Sequence, residues 1–236
     1  MLYNLNLHQI LFLDIETVPA VENYGSLSEK MQKLWDKKAN YLIGDSQKTS
    51  AEIYERAGIY AEFGKIIVIS VGAFNRNEFR IKSFYGDEEK ILLLDFAQML
   101  NRYYNQADSI LCAHNGKEFD FPYIARRMLI NGIELPEVLQ IAGRKPWEVK
   151  HLDTLELWKF GDYKNYTSLD LLTAIFDIPT PKDDIDGSMV AKVYYEENDL
   201  ERIKTYCQKD VLAIAQLMRR YMNQPLIPDE QVVITG

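Results

Sequence analysis

Apolar and polar positions follow two rhythms along the chain, one typical of β-strands and one typical of helices. Short apolar runs predict strands near residues 9–15, 65–74, 79–85, 109–114 and 149–152. Longer stretches with apolar residues three and four apart predict helices near residues 87–104, 121–131, 168–176, 187–197 and 199–221. Asn75-Arg76-Asn77 predicts a hairpin turn that makes the first three strands an antiparallel meander, and the later strands enter through helical crossovers. The pattern therefore predicts an α/β fold with a mixed five-stranded sheet.

Acidic residues end the first predicted strand and border the apolar stripe of the last helix. Side chains two apart on a strand point to the same face, so Asp14 and Glu16 lie side by side. Tyr206 and Asp210 are four apart on the helix and form a row beside its buried stripe. The stripe consists of Leu200, Ile203, Cys207, Val211, Ile214, Met218 and Tyr221.

A fourth acid, Asp120, lies where a strand gives way to a helix that begins near Phe121-Pro122. All four carboxylates are therefore predicted at buried or half-buried positions. Burial of an ionised carboxylate costs several kcal/mol unless a cation compensates it. Since the three acidic segments carry no Arg or Lys suited to pair with one another's acids, we expect a metal to supply the charge.

The donor types narrow the choice of metal. A site built from carboxylate oxygens suits Mg²⁺ or Mn²⁺. His8, His114 and His151 do not form a cluster at zinc-ligand spacing, and the two cysteines, Cys112 and Cys207, are far apart in the sequence. The sequence therefore disfavours zinc and predicts divalent cations of the magnesium type, with the two thiols buried in the core.

Length and composition bound the remaining possibilities. The chain of 236 residues fits one α/β domain, and no linker or repeat divides it. No basic segment precedes an apolar stretch at the N-terminus, and no apolar run reaches membrane-spanning length, so we expect a cytoplasmic protein without membrane contact. No feature of the sequence indicates an obligate protein partner.

The acidic balance limits how the chain could bind nucleic acid. A net charge of −8 and a pI near 5.0 argue against broad binding to duplex DNA, which requires a basic face. A local basic strip could still bind a few phosphates of a strand end. Candidates for such a strip, each equally well explained as an ordinary solvated charge, are Lys117, Arg126, Arg127, Arg144, Lys145 and Lys164.

The three acidic segments together resemble the motifs of a known enzyme family. Asp14-Ile15-Glu16, the run from Asn115 to Phe119-Asp120, and Tyr206 to Asp210 match, in order, the D-x-E, N-x-x-x-F-D and Y-x-x-x-D motifs of the DEDDy 3′-5′ exonucleases. These enzymes belong to the ribonuclease H-like (DnaQ-like) superfamily, and the chain specifically resembles the stand-alone bacterial exonucleases related to the proofreading domain of family B DNA polymerases. Thr205 stands where the sister subclass has histidine, which favours the tyrosine subclass.

The resemblance implies a ribonuclease H-like sheet with helices on both faces and a role for each motif residue. Asp14 would bridge two metal ions, Glu16 and Asp210 would complete the site of the water-activating metal, and Asp120 would hold the second. Tyr206 would hydrogen-bond the attacking water. Further residues implied to bind substrate or shape the site are Thr17, Asn115 and Phe119. The implied activity is two-metal hydrolysis of single-stranded DNA from its 3′ end, releasing nucleoside 5′-monophosphates.

Two other functions stay open. An exoribonuclease acting on short RNA would use the same four acids, because contacts to the 2′-OH decide between the sugars. A non-catalytic nucleic-acid-binding or protein-binding module on this fold is disfavoured, because all four acids and the tyrosine are present. Trp147 and Trp158 could stack on bases, although tryptophan more often packs in a core or groove.

Two local features carry structural predictions of their own. The chain is expected to form one exonuclease domain over 1–236, with a helical insertion at about 20–63 that either guides substrate or packs against the core. Asp153-Thr154-Leu155-Glu156 has the form of a capping box, so Asp153 is interpreted as a helix cap rather than a metal ligand.

Overall fold

The computed structural model describes residues 5–44, 47–106, 108–162, 164, 166–179 and 185–235. Six strands form one sheet in the order β5-β4-β1-β2-β3-β6. They are β1 Ile10–Pro19, β2 Gly64–Asn75, β3 Glu78–Tyr85, β4 Ile110–Ala113, β5 Leu152–Asp153 and β6 Val232–Thr235. The strand pairs β1–β2 and β2–β3 are antiparallel, whereas β4, β5 and β6 join their neighbours in parallel. The predicted mixed sheet, antiparallel meander and hairpin at Arg76 are confirmed.

The sheet has one strand more than the five predicted. Val232 to Thr235 pair in parallel with Phe79 to Lys82 at the edge of the sheet. This strand is short and does not alternate between buried and exposed residues, so its burial pattern resembles that of a loop. The prediction of five strands is therefore wrong by one edge strand.

The helices are α1 Glu29–Ile43, α2 Glu89–Tyr103, α3 Asp120–Ile130, α4 Thr154–Lys159, α5 Leu169–Ile175, α6 Val190–Lys192 and α7 Leu200–Tyr221. A π-helical turn, Val193–Glu197, continues α6, and the longest 3₁₀ segment among the described residues is Tyr54–Ile59. Every helix predicted from the periodicity is present, with ends shifted by at most three residues. No helix in the described ranges is both long enough and apolar enough to cross a membrane.

Alternate residues of β1 pack on opposite faces of the sheet. Leu11, Leu13 and Ile15 belong to a core that includes α2 and α3. Ile10 and Phe12 belong to a second core that includes α7. Since side chains alternate along a strand, Asp14 and Glu16 continue the row that faces α7. Helices cover both faces, as predicted.

The insertion at 20–63 forms α1 and the 3₁₀ segment Tyr54–Ile59, with a small core of its own. The fully buried Trp35 lies at its centre and donates its indole N–H to the Ser50 carbonyl at 2.8 Å. Tyr123 of α3 donates its hydroxyl to the Gly58 carbonyl at 2.7 Å, which ties the 3₁₀ segment to the main core. The insertion is thus packed against the domain, and one end of it reaches the first acidic motif.

A buried ion pair joins α2 to α3. Glu89 accepts hydrogen bonds from the Arg127 guanidinium at 2.8 and 2.5 Å and from the backbone N–H of Ile66 at 2.8 Å. Both side chains are about nine-tenths buried. Arg127 therefore holds helices together, and its prediction as a phosphate-binding residue is wrong.

Candidate active site

Strand β1 and helix α7 bring the first and third acidic motifs to one cavity. The cavity has a volume of about 650 Å³, and Asp14, Glu16, Tyr206 and Asp210 all contribute to its wall. The strand alternation aims the two acids at α7, and the four-residue helical spacing places Tyr206 above Asp210. The Tyr206 hydroxyl donates a hydrogen bond to the Asp210 carboxylate. Two motifs that are almost 200 residues apart in sequence thus form one surface.

Asp120 completes the acidic group from a buried position outside the cavity lining. It is the first residue of α3, its side chain is 3% exposed, and the backbone N–H groups of Ile15 and Asp120 itself face its carboxylate. It does not line the open cavity. Its charge nevertheless acts on Asp14 and Glu16, so the acids form one electrostatic group.

Burial and mutual repulsion raise the pKa of the acids. Desolvation, followed by the charges of Glu16, Asp210 and Asp120, raises the pKa of Asp14 well above its usual range. Desolvation and the charges of Asp210 and Asp120 do the same for Glu16. Burial, opposed by backbone hydrogen bonds and helped by nearby carboxylates, raises the pKa of Asp120 to about 7. Without an added cation the ionised site is unfavourable.

A divalent metal fits this donor set. Among the described residues, no Lys or Arg forms an ion pair with Asp14, Glu16 or Asp120. Ligand atoms of Asp14, Glu16 and Cys207 lie within 4.8 Å of one another. Hard carboxylate oxygens prefer Mg²⁺ or Mn²⁺, and the thiol is protonated because burial raises its pKa. The acids therefore lack the positive charge that such an ion would provide.

The second motif is shaped by Asp153. The Asp153 carboxylate accepts the backbone N–H of Asn115 at 2.9 Å and of Lys117 at 3.1 Å. It also caps α4 by accepting the N–H groups of Leu155 and Glu156 at 3.0 and 3.2 Å. Asp153 is thus a helix cap, as the sequence indicated, and it also fixes the turn before Asp120.

The predicted substrate-binding residues fall at two places. Thr17 and Phe119 line the acidic cavity. Asn115 lines a neighbouring cavity of about 350 Å³, and its backbone adopts a left-handed conformation with φ of 63°. Asparagine tolerates this conformation better than most residues. The placement of Asn115 supports a role in shaping the turn.

Several residues of the cavity wall were not identified from the sequence. They are Glu55, Arg56, Gly58, Ile59, Tyr166, Gly187, Ser188 and Ala191. The first four come from the insertion, and the others come from loops and α6. None belongs to a motif with recognisable spacing, so only the folded chain brings them to the site.

Three of the six residues of the predicted basic strip form ion pairs elsewhere, and one of them is Arg127, which pairs with Glu89 as described above. Lys117 pairs with Glu156 at 2.5 Å, and Arg144 lies 3.8 Å from Glu137.

The two tryptophans that could stack on bases differ in exposure. Trp158 stacks on Tyr221, whereas Trp147 is 77% exposed. Of the two tryptophans, only Trp147 is available to contact a ligand.

Comparison with known proteins relates this geometry to one family. The family DNA_pol_B_exo2, described as "Predicted 3'-5' exonuclease related to the exonuclease domain of PolB", matches residues 59–224, which is more than half of the chain. The chain belongs to this family. The match to DNA_pol_B_exo2 includes Asp120, Tyr206 and Asp210 and begins after Asp14 and Glu16. The predicted relation to polymerase proofreading exonucleases is confirmed.

A solved structure supports the fold of this DNA_pol_B_exo2 member. The family B DNA polymerase from the hyperthermophilic archaeon Pyrobaculum calidifontis aligns with 91% of the chain at a TM-score of 0.51 and 13% sequence identity. The alignment covers 24% of the polymerase, so the chain spans about a quarter of that protein. At this identity the likeness concerns the fold alone, which is ribonuclease H-like as predicted.

Proposed function

We propose that the protein is a metal-dependent 3′-5′ exonuclease that hydrolyses single-stranded DNA from its 3′ end and releases nucleoside 5′-monophosphates. The observation that carries the proposal is the convergence of Asp14, Glu16, Tyr206 and Asp210 on one cavity, with the buried Asp120 close enough for its charge to act on Asp14. The acids that form this site are the ones that the DEDDy resemblance requires. Family membership supports the reaction class.

The carboxylates of Asp14, Glu16, Asp120 and Asp210 would hold two divalent cations, Mg²⁺ or Mn²⁺. When bound, such ions lower the pKa of water and neutralise the charge that develops on the scissile phosphate. Among the described residues no Lys or Arg pairs with Asp14, Glu16 or Asp120, so no side-chain cation competes with a metal for these carboxylates. The raised pKa values reflect the same unmet demand for positive charge.

Tyr206 would orient the attacking water. Burial and the charges of Asp210, Glu16 and Asp14 raise the pKa of its phenol well above the usual value, so it stays protonated at neutral pH. Since its one hydrogen is donated to Asp210, the phenol oxygen can accept a hydrogen bond from the attacking water and orient it. In the reaction the water oxygen bonds to phosphorus and releases one proton to solvent, the bond from phosphorus to the 3′ oxygen breaks, and that oxygen takes up a proton from solvent.

The cavity suits the end of a strand. Thr17 and Phe119 line its wall and would contact the terminal nucleotide. A cavity with acids in its wall would admit a frayed single-stranded end more readily than a continuous duplex. The acidic chain would make few phosphate contacts, so we expect activity to fall only gently with added salt.

The direct test uses a 5′-labelled single strand with Mn²⁺ or Mg²⁺. We expect a ladder of shortened strands, release of nucleoside 5′-monophosphates and no cleavage of circular single strands. Asp14→Ala and Asp210→Ala should each lose several orders of magnitude in turnover, whereas Asp95→Ala, an exposed acid on α2, should match wild type. Full activity in both site variants, or efficient nicking of circles, would contradict the proposal.

Digestion of DNA and RNA strands of identical sequence distinguishes the proposed DNA exonuclease from an exoribonuclease. Faster digestion of RNA would identify an exoribonuclease with the same catalytic acids. Binding of the strands without products, over long incubation with either metal, would identify a non-catalytic module.

A further inference from the structure

One cation stands on the wall of the acidic cavity. Arg56 belongs to the 3₁₀ segment Tyr54–Ile59 and is the single Lys or Arg among the described residues that line the cavity. It lies before residue 59, where the family match begins, so family membership does not account for it. It belongs to the insertion rather than to any of the three motifs.

The backbone around Arg56 is held firmly although its side chain is exposed. Tyr54, Ala57 and Gly58 are buried, and the Arg56 N–H donates to the Ile53 carbonyl at 3.1 Å. A Cβ on Gly58 would meet the Val18 backbone at 3.0 Å, which shows how closely this segment approaches β1. The arginine is therefore presented to the cavity by a fixed support.

Arg56 does not neutralise the acids. Within the described parts of the chain its guanidinium forms no ion pair. Its charge is not among the largest influences on the pKa of Asp14, Glu16 or Asp120. A cation that shares a cavity with carboxylates but does not pair with them is available to a different anion.

Resting on the proposed function, we infer that Arg56 binds the internucleotide phosphate next to the scissile one on its 5′ side. The planar guanidinium can donate two parallel hydrogen bonds to phosphate oxygens. Bound metal ions would neutralise the charge of the scissile phosphate. Without Arg56, the adjacent phosphate would face Glu55 and the acidic wall with no cation to neutralise its charge. Arg56 would thus hold the strand in register for removal of one nucleotide at a time.

The experiment pairs a protein change with a substrate change. Wild type, Arg56→Ala and Arg56→Lys are compared on a 5′-labelled strand with normal linkages and on one with a neutral methylphosphonate at the linkage immediately 5′ to the scissile bond. For wild type we expect the neutral linkage to raise KM by about 10- to 100-fold, the range of a charge-assisted contact. Arg56→Ala should have the raised KM on both strands, and Arg56→Lys should recover part of the difference.

The matched control is Arg102→Ala, which removes an exposed arginine from α2 outside the acidic cavity. It should discriminate between the two strands as wild type does. Fluorescence anisotropy with Ca²⁺ in place of Mn²⁺ gives a readout without turnover. In that assay Arg56→Ala should reduce the slope of log K against log salt by about 0.7, the value for one phosphate contact on a single strand.

The outcomes separate this inference from the proposed function. Hydrolysis by wild type together with undiminished discrimination by Arg56→Ala would overturn the role of Arg56 and leave the exonuclease proposal intact. Discrimination in anisotropy that depends on Arg56, without hydrolysis by wild type, would support Arg56 and overturn the exonuclease proposal. Equal binding of both strands by wild type would also overturn the inference.

Discussion

The Cys207 thiol lies 3.4 Å from Oδ2 of Asp14 and donates a hydrogen bond to it. It also lies 3.4 Å from the Asp14 carbonyl oxygen, so α7 contacts both the backbone and the side chain of the strand at this point. The contact joins α7 to β1 at Asp14 and so helps to set the position of the helix along the strand. Since Tyr206 and Asp210 belong to the same helix, it also fixes where they meet the strand acids.

The first prediction concerns the reactivity of this thiol. Cys207 and Cys112 are fully buried, and desolvation raises the pKa of both. Since the thiolate is the reactive form, we expect no labelling of the native protein by a disulfide reagent such as DTNB at pH 8. Two thiols should react after unfolding in guanidinium chloride. Rapid labelling of the folded protein would contradict the packing of α7 on β1.

The second prediction concerns pH and stability without metal. The pKa of Asp120 is raised to about 7, so between about pH 4 and this value the folded state binds more protons at Asp120 than the unfolded state. Its contribution to the free energy of unfolding therefore falls as pH rises, by up to about 1.4 kcal/mol per pH unit. His151, whose pKa burial lowers to about 4, contributes the opposite slope.

Asp120→Asn isolates the acid from the histidine. We expect the stability of this variant relative to wild type to increase from pH 4.5 to pH 7.5, measured by urea denaturation in EDTA. Saturating Mn²⁺ should reverse the trend, because the metal binds the ionised acids. A difference between the two proteins that does not change with pH would contradict the raised pKa of Asp120.

The third prediction links the acids to metal binding. Removing one of several repelling carboxylates should stabilise the protein without metal, so Asp14→Asn and Asp210→Asn should melt above wild type in EDTA. Wild type should gain more from Mn²⁺ than either variant, because a ligand that binds the folded state stabilises it by RT ln(1 + [L]/Kd). Calorimetry with and without Mn²⁺ measures both effects. Equal gains in all three proteins would mean that the acids do not form one metal site.

The acidic core of the site was predictable because strand and helix periodicity alone place its side chains. Asp14 and Glu16 share a face by strand alternation, and Tyr206 and Asp210 share one by helical spacing. Periodicity has no such power over loops. Arg56 and Tyr166 line the same cavity only because the folded chain returns both residues to β1 and α7. That return depends on long-range packing around residues such as Trp35, which no local pattern specifies.

The same reasoning explains the errors. Arg127, in the last turn of α3, is a candidate phosphate ligand from the sequence because arginine is normally exposed. Its partner Glu89 lies 38 residues away on another helix, and a buried pair at that separation leaves no sequence signal. The edge strand β6 was missed for a related reason, since its pairing with β3 crosses most of the chain.

The fourth prediction distinguishes a structural acid from a metal ligand. Asp153→Ala would leave four backbone N–H groups without their acceptor, so we expect a loss of at least about 2 kcal/mol in the free energy of unfolding. Asp153→Asn keeps one acceptor oxygen and should lose less. Both variants should keep the melting-temperature gain of wild type on addition of Mn²⁺. A smaller gain in Asp153→Asn would instead identify Asp153 as a ligand.

The last prediction concerns Tyr206. Tyr206→Phe removes one orienting hydroxyl and leaves the four acids in place, so we expect turnover on a single strand to fall by roughly 10²-fold, the usual contribution of one such group. The pKa of Tyr206 is raised well above its ordinary value, so the hydroxyl stays protonated throughout the assay range. The pH profile of the variant should therefore keep the shape of the wild-type profile at a lower rate.

Tyr103→Phe, which changes an exposed tyrosine on α2, is the control for Tyr206→Phe and should match wild type. The melting-temperature gain of Tyr206→Phe with Mn²⁺ should equal that of wild type, since a lost gain would mean that the hydroxyl supports metal binding rather than the attacking water. Turnover equal to wild type at every pH would show that Tyr206 orients nothing in the reaction.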